Sequence, residues 1–577
     1  MLSRKFAPLT LVSVLLLTLA CSPPDSPKAP EPGTSTQATS HRSAAIAMPD
    51  RYGADVAEQI LTAGGNAVDA AIAAGFALAV SYPEAGNIGG GGFMLIRMNG
   101  KDAFVDYRET AAAAADKDMY LDENGDVIEG LSTIGHLAVG VPGTVAGFWE
   151  AHQRFGSLPW KDLVMPAVQI AEDGFVTPEK LGGGMLTRLE RYEGKTNFAD
   201  YFGNMVSGEL HKQPELAATL RRIADNGADE FYKGETARLI AAEMARGGGL
   251  ITLQDLANYK AKWREPLQAD WRGYRVISSP PPSSGGFALV QLLKIHDYIE
   301  HHFKGVEHNS AQYVHLVAEI EKRVFADRAE FLGDPDFVDS RVDELLSDDY
   351  LQRRAKEVNP ESISMNVGAG TGLENHDTTH YSILDKWGNA VSNTYTLNLG
   401  FGSGVVVTGA GFLLNDEMDD FSVKPGVPNA YGVVGNTANE IQPGKRMLSS
   451  MTPTILLRDG DVAMVVGTPG GSTIFTSVFQ TIINITDFGM SPLEAIGAAR
   501  FHHQLLPPDL IIMQRDSPLP AETLSLLGDR GYRTRTIYNF GDVQIIYDDG
   551  GTVAAASDPR NRGVSRVIET AEVQPQQ

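Results

Sequence analysis

A chain of 577 residues, 43% hydrophobic and 21% charged, has a globular composition, which excludes a wholly disordered or fibrous protein. Its 60 glycines and 31 prolines keep no triplet period, so collagen is excluded too. Lys and Arg number 48 against 72 Asp and Glu, a formal charge of −24 that repels phosphate backbones and argues against nucleic acid as a partner.

The chain opens with Arg4 and Lys5, an apolar run over 6–20, and Cys21. The run is short for a membrane span of about 20 residues and suits the hydrophobic region of an export signal. The stretch LTLAC at 17–21 resembles a bacterial lipobox, with Thr18 where leucine is usual; the alternative is a cleaved secretory peptide with an incidental cysteine. A lipobox makes Cys21 the lipidated N-terminus of the mature chain, which predicts an exported protein on the periplasmic side of a bacterial membrane. Cys21 is the chain's single cysteine, so no internal disulfide is expected. The Pro-, Ser- and Thr-rich stretch over 22–43 buries too little to fold and reads as an extended tether, with the folded body starting near Ala44.

Length alone allows about four domains, yet no second linker follows Ala44, and one large layered body is predicted. The stretches 54–62 and 66–80 are apolar almost all round, as helices inside a large protein are, with Gly64-Gly65 as the turn between them. The run Gly89-Gly90-Gly91-Gly92 lacks the Lys-Ser/Thr of a phosphate loop and reads as a place where backbones approach closely. It leads into a strand at 93–96, and a second strand at 104–107 delivers Arg108. The region 142–358 reads as mostly helical, with charged and solvated faces at 216–228, 235–246 and 311–332. His301, His302 and His308 have no metal-ligand spacing, and neither metal nor cofactor is expected.

From Thr378 the pattern sharpens. The stretches TTHYSILD (378–385) and NAVSNTYTLN (389–398) are rich in β-branched and aromatic residues, and Lys386-Trp387-Gly388 between them reads as a three-residue hairpin loop. If Asp385 pairs with Asn389, Thr378 comes opposite Thr396, close enough for the two hydroxyls to meet. His380, Ser382, Ser392 and Thr394 share that face; Tyr381, Ile383, Val391 and Leu397 take the other. Two readings stay open at this point: a hydrogen-bonded Thr–Thr pair, or a nucleophile. A threonine hydroxyl needs a neighbouring base to attack, and its own α-amine serves if the chain is cut before Thr378.

The stretch 378–402 (TTHYSILDKWGNAVSNTYTLNLGFG) is similar to the nucleophile signature of the gamma-glutamyltransferases. Further blocks agree in order: GGNAVDAAIA at 64–73, NIGGGGFMLIR at 87–97, VPGTVAGF at 141–148, NDEMDDF at 415–421, SSMTPTI at 449–455 and PGGS at 469–472. The resemblance implies a four-layer αββα sandwich of the N-terminal-nucleophile hydrolase type. It implies a precursor that cuts itself between Asp377 and Thr378 into a large subunit, 44–377, and a small one, 378–577, which stay together. The donor is then glutathione or another γ-glutamyl compound, and the acyl group passes to water or to an amino acid or peptide.

Carried over residue by residue, the resemblance makes Thr378 the nucleophile, supported by Thr396, with Gly470 and Gly471 forming the oxyanion hole. Arg108, Ser449 and Ser450 take the donor's α-carboxylate, while Asn398, Glu417 and Asp420 take its α-ammonium. RETAAAA after Arg108 lacks the family's usual proline. Tyr431 matches the closing tyrosine of a lid loop over 425–436. No catalytic role falls to His380. The rival within the family is a glutaryl- or cephalosporin-type acylase, and outside it an unprocessed lipoprotein that binds γ-glutamyl peptides. Without the resemblance, the acidic stretch 416–420 would read as a solvated turn.

Overall fold

The computed structural model describes residues 43–365, 378–427, 429–430, 432, 435–538 and 540–569. Two sheets lie face to face at its centre. The first has seven strands, in the order Val564–Glu569, Ser43–Met48, Thr379–Leu384, Ala390–Thr396, Gly91–Met98, Lys101–Asp106 and Lys262–Arg264. The second has six, in the order Val553–Ser557, Gln544–Asp548, Asp461–Gly467, Thr454–Arg458, Tyr274–Ser278 and Leu267–Trp271.

Alternation along the strands builds three cores from these sheets. Phe93, Leu95, Leu384, Ile277, Ile455, Val465 and Ile546 face inward and fill the space between the sheets. Their neighbours Met94, Ile96, Ile383 and Val391 face outward against helices Arg51–Thr62, Ala67–Ser81, Thr144–Phe155 and Trp160–Asp173. On the far side, Val276, Leu456, Met464, Val466 and Ile545 pack against helices Gly285–Tyr298, Ala311–Phe331 and Ile474–Thr486. Helix, sheet, sheet, helix: the αββα sandwich that the resemblance implies is the observed architecture.

The helices expected at 54–62 and 66–80 form as Arg51–Thr62 and Ala67–Ser81. Every residue of the second is buried, which explains a sequence with no polar face. Asn66 starts it with a capping box, its side chain accepting from Val68 and Asp69 N–H. The glycine run does bring backbones together. A Cβ on Gly90 would stand 2.1 Å from the Thr396 carbonyl oxygen, and one on Gly92 2.4 Å from that of Thr394.

The middle of the chain is mostly helical, as expected, but one expectation fails there. The region 142–358 contains strands Lys262–Arg264, Leu267–Trp271 and Tyr274–Ser278 among its helices. Charged and polar residues on their exposed faces and the edge position of two of them mask the strand pattern. Helix Ala311–Phe331, expected to carry a solvated face, is instead buried at His315, Glu319, Glu321, Lys322, Arg323, Asp327 and Arg328. Its charges are matched within the protein: Lys322 with Glu319 at 3.0 Å and Asp509 at 2.9 Å, Arg323 with Glu319 at 3.1 Å, and Asp327 with Arg354 at 2.8 Å. Buried charges of this kind need partners that lie far away in the sequence.

Candidate active site

The hairpin has the expected register: Leu384 pairs with Ala390, Ser382 with Ser392, and Thr379 with Tyr395. Gly388 closes its loop at φ +79°, a backbone that glycine adopts without strain. Asp385 holds the loop from inside, taking the N–H groups of Trp387 and Asn389 on one oxygen and that of Ala67 on the other. Thr378, just before the strand, is 6% exposed, and the Thr396 hydroxyl donates to its Oγ1 at 3.4 Å. Thr396 Oγ1 in turn accepts the Asn398 N–H at 2.8 Å. Asn398 sits at φ +82°, tolerable for asparagine, and its amide donates to the Asp416 carbonyl at 2.9 Å.

The polar face of the hairpin lies between the two sheets. Ser382 and Ser392 donate to carbonyls of Gln544 and Val466 in the second sheet. His380 is held there by Thr394 and Ser382, and burial pulls its pKa down to about 3. It is a neutral spacer between the sheets.

Arg108 follows strand Lys101–Asp106, in a turn that is braced on both sides. Asp106 accepts the Arg108 N–H at 3.0 Å, the Tyr259 hydroxyl donates to the Arg108 carbonyl at 2.8 Å, and Arg264 and Arg446 pair with Asp106. The guanidinium is 1% exposed. Its Nη1 lies 2.5 Å from Glu417, and its Nη2 donates to Asp420. Burial opposes its charge, but Glu417, Asp420 and Glu109 override that and raise its pKa.

The acidic stretch is no solvated turn. Asp416 and Glu417 are fully buried, and Asp419 nearly so. Asn415 anchors the turn, its oxygen taking the N–H of Gly140 and Glu417 and its amide reaching the carbonyls of Gly89 and Gly140. Asp419 accepts from Ser132 at 2.6 Å and from the Ala430 N–H at 2.8 Å; Asp420 accepts from Asn429 at 3.3 Å. Burial pushes Asp416 and Glu417 well above the carboxylate range, Asp419 up to about 6, and Asp420 upward, with Arg108 pulling Glu417 and Asp420 back. Glu109, buried beside them, rises to about 8. Crowded, desolvated carboxylates of this kind favour the arrival of a cation.

One small cavity, about 20 Å3, is lined by Arg108, Thr378, Thr396, Asn398, Glu417, Asp420, Ser449, Ser450 and Gly471. The structure thus brings nine of the expected residues together, with Gly470 adjoining through Gly471. These two glycines have φ of +136° and +52° and lead through a 3-10 turn into helix Ile474–Thr486, so their N–H groups stand at a helix start, where negative charge is favoured. Tyr431, Asp377 and Cys21 lie outside the described residues. Asn429, from the 425–436 loop, and Ser472, from the PGGS block, also line the cavity, as does Arg328, which carries no sequence motif that marks it. Gln504 is equally unmarked: it accepts from Ser472 at 2.7 Å and donates to the Gly432 carbonyl at 3.1 Å, joining the glycine turn to the 425–436 loop. No described group of three or more His, Cys, Asp or Glu is placed to hold a metal.

Comparison with known proteins bears on this geometry. The family model for gamma-glutamyltranspeptidase matches residues 53–568. A glutathione hydrolase proenzyme of Pseudomonas aeruginosa is 59% identical over 526 residues, 91% of this chain and 94% of that protein. Its Escherichia coli counterpart is 46% identical, covering 89% and 90% of the two chains. Among solved structures, a gamma-glutamyltranspeptidase from Pseudomonas nitroreducens complexed with L-DON is 58% identical with a TM-score of 0.55, covering 55% of this chain and 95% of that one. A cephalosporin acylase from Bacillus halodurans is 28% identical with a TM-score of 0.78, covering 94% and 98%. The chain belongs to the gamma-glutamyltranspeptidase family.

Proposed function

We propose that the chain is a self-processing γ-glutamyltransferase and glutathione hydrolase whose nucleophile is the α-amine-bearing Thr378. The observation that carries this reading is the cavity holding Thr378 against a buried guanidinium, the buried Glu417 carboxyl and the part-buried Asp420 carboxyl. An α-amino acid end presents one carboxylate and one ammonium. Arg108 grips the first at two points, with Ser449 and Ser450 beside it; Glu417 and Asp420 take the second, with Asn398 at hand. The cavity is on the order of one water in size, so a donor enters by parting Arg108 from its carboxylates and replacing each ion pair with its own group. That dual demand favours an amino-acid donor over the acylase reading.

The cut between Asp377 and Thr378 frees the amine. An α-amine ordinarily titrates at about 7.7–8.0, so it accepts the Thr378 hydroxyl proton near neutral pH. The Thr396 hydroxyl donates to Oγ1 and steadies its developing charge. Oγ1 attacks the γ-carbonyl carbon, and the oxygen that turns negative meets the N–H groups of Gly470 and Gly471. The amide nitrogen leaves with the amine's proton. Water or an acceptor amine then attacks the γ-glutamyl ester, restoring Thr378. Every proton is carried by the chain's own groups.

Subunits 44–377 and 378–577 remain associated for a topological reason. Each supplies strands to both sheets, and Thr379–Leu384 is paired with Ser43–Met48. The test is N-terminal sequencing of the purified protein, with an assay on a γ-glutamyl anilide. A fragment starting at Thr378 is expected in the active protein; full activity in an uncut chain, or a cut elsewhere, overturns the mechanism.

The tether belongs to the same proposal. Cys21 followed by a Pro/Ser-rich stretch supports a lipid anchor outside the cytoplasm. No described helix is long and apolar enough to cross a membrane. Cys21→Ser is expected to move activity from the membrane fraction to the soluble one with turnover unchanged. Identical fractionation of mutant and wild type refutes the lipobox.

A further inference from the structure

Arg328 stands on helix Ala311–Phe331 and is 6% exposed. It lines the same cavity as Thr378. Its Nε donates to Ser284 Oγ at 2.9 Å and its Nη2 to Ser450 Oγ at 3.2 Å. Both partners are neutral hydroxyls. Asp420 steadies the charge electrostatically, yet burial outweighs it and draws the pKa down to about 10. A buried cation resting on hydroxyls is costly in isolation, and it is the kind of group that an arriving anion relieves.

The hydrogen bonding gives that cost a use. Ser450 Oγ accepts from Arg328, so its own proton is left to donate. Ser449 Oγ accepts the Met451 N–H at 3.1 Å and is left in the same condition. The cavity therefore offers two hydroxyl donors along with Arg108. Arg328 thus adds a second guanidinium to the lining, on the side where Ser450 lies.

We infer that Arg328 is a positioning residue for the donor's α-carboxylate: it fixes the Ser450 hydroxyl as a donor and supplies the second positive charge at that end of the cavity. This rests on the carboxylate reading of Arg108 and the two serines given above.

The test compares kinetics on a γ-glutamyl anilide and on the 4-aminobutyryl anilide, which lacks the α-carboxylate. Arg328→Gln is expected to raise KM for the complete donor about tenfold or more, the scale of one hydrogen bond to a charged group. Turnover should change little, the pattern of lost uniform binding, and KM for the 4-aminobutyryl substrate should stay as it was. Arg328→Lys should recover part of the loss. Adding Ser450→Ala to Arg328→Gln should cost less than Ser450→Ala does alone, because the two act through one hydroxyl. Self-cleavage and thermal melting report whether each variant folds. Ser284→Ala loosens Arg328 without removing its charge and should raise the same KM by about threefold, a fraction of one hydrogen bond; it carries the test if the Arg328 variants do not fold.

Equal losses on both substrates, or a fall in turnover alone, overturn the inference. So does full additivity with Ser450→Ala. Arg108→Lys, run in parallel, separates the two levels. If Arg108→Lys keeps its full preference for the complete donor, the carboxylate reading itself fails. If Arg108→Lys loses that preference while Arg328→Gln keeps it, only the role of Arg328 is wrong.

Discussion

Thr378→Ala is expected to yield one uncut chain without measurable turnover, a loss on the order of 10⁶-fold as for other acyl-transfer nucleophiles. The reason lies in what surrounds the hydroxyl. Thr378 is buried beside Thr396, which donates to it and so cannot take its proton. His380, two residues on, is occupied by Thr394 and Ser382 and is held neutral by burial. On the proposed mechanism the base is the amine of Thr378 itself, which exists after the cut. Processing and turnover thus share one oxygen, and alanine removes both. Thr378→Ser keeps the oxygen and should cut more slowly yet turn over donor. A gel and an anilide assay read the two outcomes together. Turnover by uncut Thr378→Ala at a wild-type rate would place the nucleophile elsewhere.

Arg108→Lys is expected to be processed normally while kcat/KM for the complete donor falls about 10- to 100-fold, the equivalent of one charged hydrogen bond of roughly 1.5–3 kcal/mol. Lysine keeps the positive charge among Glu417, Asp420 and Glu109, which is why it is chosen over alanine. Stripping the charge would leave buried carboxylates unpaired, at a cost of about 3–5 kcal/mol. What lysine loses is the planar fork that reaches a carboxylate at two points. The preference for the γ-glutamyl anilide over its analogue without the α-carboxylate should therefore shrink, with the loss in KM rather than turnover. A processed Arg108→Lys protein with undiminished preference would remove Arg108 from the carboxylate site and favour the acylase reading.

Much of this architecture is local and legible in the sequence. The alternation in 378–398 sets the hairpin, and a three-residue loop ending in Gly388 sets its register; those two facts place Thr378 beside Thr396 with no tertiary information. The glycine run at 89–92 announces close backbone approach, and the Thr394 and Thr396 carbonyls are what it approaches. An apolar stretch with no polar face, 66–80, is a helix covered on all sides.

Other features depend on partners far away in the chain. Nothing near Arg328 tells a solvated charge from one buried against Ser284 and Ser450, because its environment is made by segments 44 and 122 residues away. The same holds for Gln504, whose partners Ser472 and Gly432 lie 32 and 72 residues off. Strands Leu267–Trp271 and Tyr274–Ser278 disappear into a region that reads as mostly helical, because strands at and near a sheet edge carry charge on their open side.

Sequence by itself determined the periodic elements, the threonine pair and the family, because spacing and residue type are properties of a short stretch. Tertiary structure decided the electrostatics. Glu417 and Asp420 read as ordinary surface acids until the segments that pack around Met418 and Phe421 exclude water from them and Arg108 is brought from more than 300 residues away. Desolvation depends on the whole assembled fold, so a carboxylate's pKa and its appetite for a cation exist only once the layers have closed.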